Sequence, residues 1–246
     1  MTVTTEFVDE TIAVVTMAHP PVNALPVAGW YAVAEAVRGA AERGAHVTVL
    51  RAEGRGFNAG VDIKEMQRTE GFDALLGANR GCYEAFRAIY ESPVPVIAAV
   101  HGHCLGGGVG LIGNCDTIVA ADDAYVGVPE VNRGALGAAT HLARLVPQHM
   151  VRTLYFTART IPATELLGFG SVLEVVPRDE LDGAALAVAR EISDKDPRVI
   201  RAAKEALNGI DPVDVNKSYR FEQGFTYELN LAGVADERRD AFVRND

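Results

Sequence analysis

The segment His101-Gly-His-Cys-Leu-Gly106-Gly107-Gly108-Val-Gly110 directly follows a run of strand-forming residues. Three successive glycines let a main chain turn sharply and approach a ligand with no Cβ in the way. If a helix starts among them, its free N–H groups and the positive end of its dipole make an anion or oxyanion site. Tight helix-on-sheet packing accounts for the same glycines, and the triplet alone does not choose between the two. A second loop, Glu53-Gly-Arg55-Gly-Phe-Asn58-Ala59-Gly60-Val61-Asp62-Ile63-Lys-Glu-Met66, follows another such run. Its glycines again signal exposed main-chain N–H groups, whereas Asp62 reads as the cap of a short helix. Two N–H groups aimed at one oxygen hold an enolate-like transition state, and removing one such donor typically costs ~10²–10³ in rate.

The third piece is Pro129-Glu130-Val-Asn-Arg133-Gly134. A carboxylate beside a rigid proline is a candidate general acid or base. The plain alternative is a surface glutamate paired with Arg133. Arg133 reads either as that partner or as a contact for a substrate carboxylate or ketone. His101 and His103 flank Gly102, and with His141 they are candidate second bases or ordinary hydrogen-bonding residues. No His, Cys and acid residues stand at metal-ligand spacing, so no metal is expected. Neither a phosphate-loop nor a dinucleotide fingerprint is present.

These loops require strands that end at them. Residues 12–17, 47–52 and 94–100 are short, rich in Val and Ile and bounded by Gly, Pro or charge, which predicts strands. Residues 117–120, 125–128 and 172–176 are weaker candidates. Between them, 27–43 and 72–91 carry helical periodicity. Beyond His141 the pattern is mostly helical, over 163–169, 178–193, 197–208, 217–232 and 237–244, with caps at Pro162, Asp179 and Asp196. That order predicts an α/β core over residues 1–190 and a helical region over 191–246. Phe221, Phe225, Tyr227 and Leu229 are expected to pack on the core or on a neighbouring subunit.

The 246 residues are 48% hydrophobic and 23% charged, a composition that builds a core and excludes disorder. Lys and Arg number 23 against 33 acids, a net charge of −10. This argues against nucleic acid or an anionic membrane as partner. No apolar run nears the ~18 residues of a membrane span, and the first residues lack the pattern of a secretion signal. Cys82, Cys104 and Cys115 show no pairing pattern, which suits a reducing cytoplasm.

Taken together, Pro21-Val-Asn-Ala-Leu25, residues 56–66 and 102–108, Asn114-Cys-Asp116, Pro129-Glu130 and residues 236–242 resemble the crotonase (enoyl-CoA hydratase/isomerase) superfamily. The likeness runs in the same order from about residue 10 onward. It implies an α/β fold, a ββα spiral core with a C-terminal helical oligomerisation region, forming a homotrimer or dimer of trimers. It also implies an acyl-CoA thioester substrate that carries its own coenzyme A, with no separate cofactor. Carried over by position, the main-chain N–H groups of Asn58 and Gly107 hold the thioester oxygen. Arg55, Ala59, Gly60, Val61, Asp62, Ile63, Gly106, Gly110 and Arg133 then contact the substrate and its CoA.

Hydratases of this superfamily carry two glutamates, one placed two residues after the glycine triplet and one in the Pro-Glu motif. Here the first position is Gly110 and the second is Glu130. General acid–base groups contribute roughly 10²–10⁴ each, so the single glutamate implies isomerisation, or hydrolytic C–C cleavage with Glu130 activating water. Gly110 is expected to leave room for a bulky acyl group. Residues 56–67, 68–71, 129–142 and 198–208 resemble the steroid-degradation branch found in actinobacteria. That branch implies hydrolytic ring opening of a fused methyl-indenedione carboxyl-CoA. The alternatives are a fatty-acid-type enoyl-CoA isomerase or hydratase, an RNA-binding relative, which the acidic charge opposes, and an inactive homologue, which Glu130 opposes.

Overall fold

Parallel strands must be covered on both faces, so they read as continuous apolar runs rather than alternating ones. The central strands of this chain do so: Val96–Val100 is buried at every position and Ile12–Ala18 at all but the last. The computed structural model describes residues 2–244; Met1, Asn245 and Asp246, the outer ends of the two expected regions, lie outside it.

The first elements are β1 (Thr2–Val8), β2 (Ile12–Ala18), α1 (Val27–Glu42), β3 (Val47–Ala52), α2 (Ile63–Arg68) and α3 (Asp73–Tyr90). Next come β4 (Val96–Val100), β5 (His103–Leu105), α4 (Gly107–Ile112), β6 (Thr117–Ala121) and β7 (Tyr125–Gly127). A 3-10 turn over Pro129–Arg133 leads to α5 (Ala139–Leu142), α6 (Gln148–Thr157), β8 (Thr160–Pro162), α7 (Ala163–Phe169) and β9 (Glu174–Val176). The chain closes with α8 (Leu181–Ser193), α9 (Pro197–Ile210), α10 (Val215–Leu231) and α11 (Val234–Arg244).

The main sheet has the order β1-β2-β3-β4-β6-β9, with β1 antiparallel to β2 and all other pairs parallel. A smaller sheet, β5-β7-β8, stands beyond the end of β4. One face of the main sheet is covered by α1 and α3 through Trp30, Val33, Phe86 and Ile89. On the other face, Leu181, Ala185 and Ala189 of α8 pack on Val14, Val49, Ile97 and Val119. The loops that leave β3 and β4 therefore emerge at one end of the sheet. A bridge between Asn58 and Cys104 ties them together, and one between Leu25 and Val61 ties the loop after β3 to the loop after β2.

Several boundaries differ from the predicted ones. Strand β1 was not expected; its half-exposed alternation Thr-Val-Thr-Thr-Glu-Phe-Val makes a polar edge strand. Strand β4 begins at Val96 because Pro95 has no N–H to give a ladder. Residues 178–180 form a 3-10 turn, so Asp179 is not the cap of α8, whereas Asp196 caps α9 by accepting from Arg198 N at 2.9 Å. The largest difference is in α10. Phe221 and Phe225 pack edge to face on each other and stay exposed, while Tyr219, Glu222, Gln223, Thr226 and Asn230 are buried. The helix turns its polar stripe inward.

Candidate active site

The end of the sheet opens into a cleft enclosing about 850 Å³, counting the space open to solvent. Its strand-end wall is Ala59, Gly60, Val61 and Ile63 from the loop after β3, with Gly106 and Gly107 from the start of α4. Pro129, Glu130 and Arg133 close one side, and Phe86, Tyr219, Thr226 and Arg239 stand opposite on helices α3, α10 and α11. Glu130 is the one carboxylate residue lining this cleft among the described residues.

The glycine triplet serves packing and chemistry together. A Cβ on Gly107 would lie 2.5 Å from the Trp30 ring, and one on Gly108 would lie 2.9 Å from Asn58 O. At Gly106 the backbone has φ +55°, and a Cβ would meet Glu130 Oε1 at 1.9 Å. Only glycine adopts that conformation and leaves the carboxylate its place. Thus α4 sits hard against its neighbours, yet the Gly107 N–H has no acceptor among the described residues.

The expected second donor is corrected by the hydrogen bonds. Asn58 N donates to His103 O at 3.1 Å, and Leu105 N donates to Asn58 O at 2.8 Å, so the Asn58 N–H is used up tying the two loops together. Its side chain is equally committed: Nδ2 donates to Asn23 O at 2.7 Å and Oδ1 accepts from Gly60 N at 2.8 Å. Asn58 is fully buried and does not line the cleft. Val61 does. Its neighbours on both sides are bonded to Leu25, through Gly60 O and Asp62 N, and its own N–H has no acceptor among the described residues. A Cβ on Gly107 would stand 3.4 Å from Gly60 Cα, so the two loops touch just where Val61 begins. Val61 and Gly107, which face each other where the two loops touch, both line the cleft with N–H groups that no described residue accepts. Its unused N–H and the contact of its loop with Gly107 single out Val61; the residue pattern alone does not.

Gly110 is also corrected. A Cβ there would lie 2.1 Å from Phe86 Cζ, so the space over it is filled by the Phe86 ring and is not open to an acyl group. Phe86 stacks in turn against Trp30, His141 and Tyr219, with ring centroids 5.8, 4.8 and 5.1 Å away. Where a two-carboxylate site would place its first acid, this protein has an aromatic wall.

Glu130 Oε2 is buried and has no hydrogen-bond partner among the described residues. Burial pushes the carboxyl up to about 8, an effect that its own backbone hydrogen bond and the Arg133 charge reduce and the Glu222 charge reinforces. A base poised near neutrality, on a side chain that lines the cleft and keeps one oxygen unpartnered, is suited to taking a proton from water.

The other residues fall outside this constellation. Asp62 accepts from Lys64 N and Glu65 N and so caps α2, and Arg55 is exposed, donating to Pro21 O at 3.4 Å. His101 and His103 hold the carbonyls of Gly54 and Val22 at 3.1 and 2.9 Å. Neither ring lines the cleft. His141 is buried among Phe86 and Tyr219, and desolvation lowers it to about 3, so it stays neutral. Burial raises the Cys104 thiol well above its usual range, which leaves it inert. No group of three metal-ligating side chains occurs among the described residues.

Residues 8–232 match the sequence profile of the enoyl-CoA hydratase/isomerase family. The chain belongs to this family. It is 66% identical over 245 residues to the (7aS)-7a-methyl-1,5-dioxo-2,3,5,6,7,7a-hexahydro-1H-indene-carboxyl-CoA hydrolase of Mycobacterium tuberculosis, covering 99% of each chain. Against the Rhodococcus jostii protein of the same name it is 65% identical over 233 residues, 94% of this chain and 90% of that one. Among solved structures, an enoyl-CoA hydratase/isomerase from Xanthobacter autotrophicus Py2 superposes with a TM-score of 0.84 at 28% identity, over 92% of this chain and 86% of that one. The crotonase fold thus accounts for the ββα order of the core and for the C-terminal helices. As a member of this enzyme family the protein acts on a CoA thioester.

Proposed function

We propose that this protein hydrolyses a C–C bond in the methyl-indenedione carboxyl-CoA on which its 65–66% identical relatives act, opening the five-membered ring. The carrying observation is the lone carboxylate: Glu130 has one unpartnered buried oxygen, and the wall facing it holds Phe86 instead of a second acid. Glu130 takes a proton from water while the hydroxide adds to the five-membered-ring ketone. The bond from that carbon to the ring-fusion carbon then breaks, and the electron pair moves through the conjugated system into the thioester and the neighbouring ketone. Val61 and Gly107 donate their N–H groups to the thioester oxygen as this charge arrives. The proton held by Glu130 passes to the former ring-fusion carbon, and the new carboxylic acid then gives its own proton to solvent. The reaction balances with water alone, and the CoA is carried by the substrate.

Hydration of a C=C would need a second acid–base group where Phe86 stands. Glu130→Gln on the bicyclic thioester is therefore expected to lose ~10²–10⁴ in kcat, with KM little changed. A mass gain of one water, absent in the variant, supports ring opening. Efficient hydration of crotonyl-CoA by the wild type, or conversion of 3-enoyl-CoA to 2-enoyl-CoA with the ring ketone untouched, points to the alternative reactions.

Exposed Phe156, Phe221 and Leu231 offer apolar surface for association between copies, and the trimer or dimer of trimers is read from the family likeness. Light scattering decides it. No described helix is long and apolar enough to cross a membrane; a cytoplasmic site of action fits the unpaired, buried cysteines.

A further inference from the structure

Glu222 of α10 is a second buried acid beside the cleft, and its partners are all donors. Ala139 N and Thr140 N donate to it at 2.9 and 3.2 Å, Thr140 Oγ1 at 3.3 Å and Tyr155 OH at 3.2 Å. Burial raises the Glu222 carboxyl above its usual range, and these donors, which an acceptor-only carboxylate satisfies, draw it back toward the ionised form. The Tyr155 hydroxyl also accepts from Gly137 N at 3.0 Å. One turn along α10, Thr226 Oγ1 accepts from Leu136 N at 3.1 Å and donates to Leu136 O at 3.0 Å. The main chain of residues 136–140 is thus fastened to α10 and α6 at residues 136, 137, 139 and 140.

That same segment covers Glu130. A Cβ on Gly137 would stand 3.2 Å from both Cγ and Oε1 of Glu130, so Glu130 is pressed between Gly137 on one side and Gly106 on the other. Ala138 takes φ +59°, a conformation that a non-glycine residue holds only when its surroundings enforce it.

We infer that Glu222 is a positioning residue for Glu130: by holding residues 137–140 in their strained path it fixes the carboxylate against Gly106. This rests on Glu130 being the base, as argued above. The groups facing Glu130 are Arg133 in its own turn, Glu222 and Tyr219 of α10, Tyr155 of α6 and Cys82 of α3, with Arg239 of α11 in the same cleft. Of these, Glu222 carries the negative charge that opposes ionisation of Glu130.

The test is the pH profile of kcat on the bicyclic thioester for wild type, Glu222→Gln, Glu222→Asp and Tyr155→Phe, with thermal melts alongside. In Glu222→Gln the amide N–H groups would face donors, so the segment is released and one charge is lost. A reacting group displaced by ~1 Å costs on the order of 10²-fold, and kcat is expected to fall by that much. KM should move little, since the thioester donors lie on the opposite wall. The acid limb should shift to lower pH, and Glu222→Asp should recover part of kcat together with the wild-type limb. Tyr155→Phe, which cuts only the relay to Gly137, should lower kcat less and serves if Glu222→Gln does not fold. A wild-type kcat in either folded variant overturns the inference, as does a lower kcat with an unmoved limb in Glu222→Gln. Failure of the underlying reading looks different: Glu130→Gln would then keep its activity and its acid limb.

Discussion

The cleft has two walls made by different means. At the strand ends, Val61 and Gly107 present main-chain N–H groups left over after Asn58, Gly60, Asp62 and Leu105 have bonded across the loops. On the helical side, Phe86, Tyr219 and Arg239 present side chains carried on three separate helices. The first wall depends on backbone path and on the absence of Cβ atoms, so the residue type at 61 is nearly free. The second depends on side-chain identity, so it decides which acyl group enters and which acids are present. A relative with the same strand-end wall and a different helical wall would bind the same thioester and perform other chemistry.

Substituting the N–H of Val61 tests this division most severely. Val61→Pro removes the donor without touching Glu130, and kcat on the bicyclic thioester is expected to fall by ~10²–10³ while circular dichroism stays native. If Asn58 were the donor after all, Val61→Pro would be almost silent. On the helical wall, Phe86→Ala is expected to cost about 3–5 kcal/mol of stability in denaturant titration. Gly110→Glu alone should misfold or melt far lower, because its Cβ would stand 2.1 Å from Phe86 Cζ, and it should gain no hydratase activity. The pair Phe86→Ala with Gly110→Glu recovers the fold if volume is the obstacle, and crotonyl-CoA hydration then reports whether the second acid has a place.

A base held at about 8 must lose its proton to act, so kcat/KM should rise about tenfold per pH unit below that value and level off above it. For stability the sign is opposite. The unfolded carboxyl ionises near 4.5, so the folded state's preference for the neutral form is fully present below that value and lost as pH climbs to about 8. Glu130→Gln should therefore melt increasingly above wild type between pH 5 and 8. The smallest effect is expected at Asp62. Losing its cap in Asp62→Ala should cost ~1 kcal/mol, with kcat nearly unchanged, since its side chain serves α2 rather than the reacting atoms. A large loss of kcat there would move the boundary of the strand-end wall.

Much of this was legible from residue order. The apolar runs at 12–17, 47–52 and 94–100 announce buried parallel strands, because no side of them tolerates water. The loops that follow carry the glycines and Glu130 in the order that the family likeness requires. Less legible was α10, where the aromatic residues Phe221 and Phe225 turned outward and Glu222 turned in. Periodicity marks a helix and its stripes, but a buried acid is acceptable only where donors from elsewhere converge, and those come from residues 139, 140 and 155.

By itself the sequence determined the strands of the main sheet other than β1, the loops, the lone Glu130 and the missing carboxylate at Gly110. Only the tertiary structure decided which N–H stays unused, what fills the space over Gly110 and which carboxylate is held by donors rather than left open. Each of those outcomes is a pairing between distant segments. Asn58 is spent on His103, Gly110 is covered by Phe86, and Glu222 is bound by residues 139 and 140. Hydrogen-bond saturation and excluded volume are settled by which atoms meet, and local patterns of residue type do not encode that.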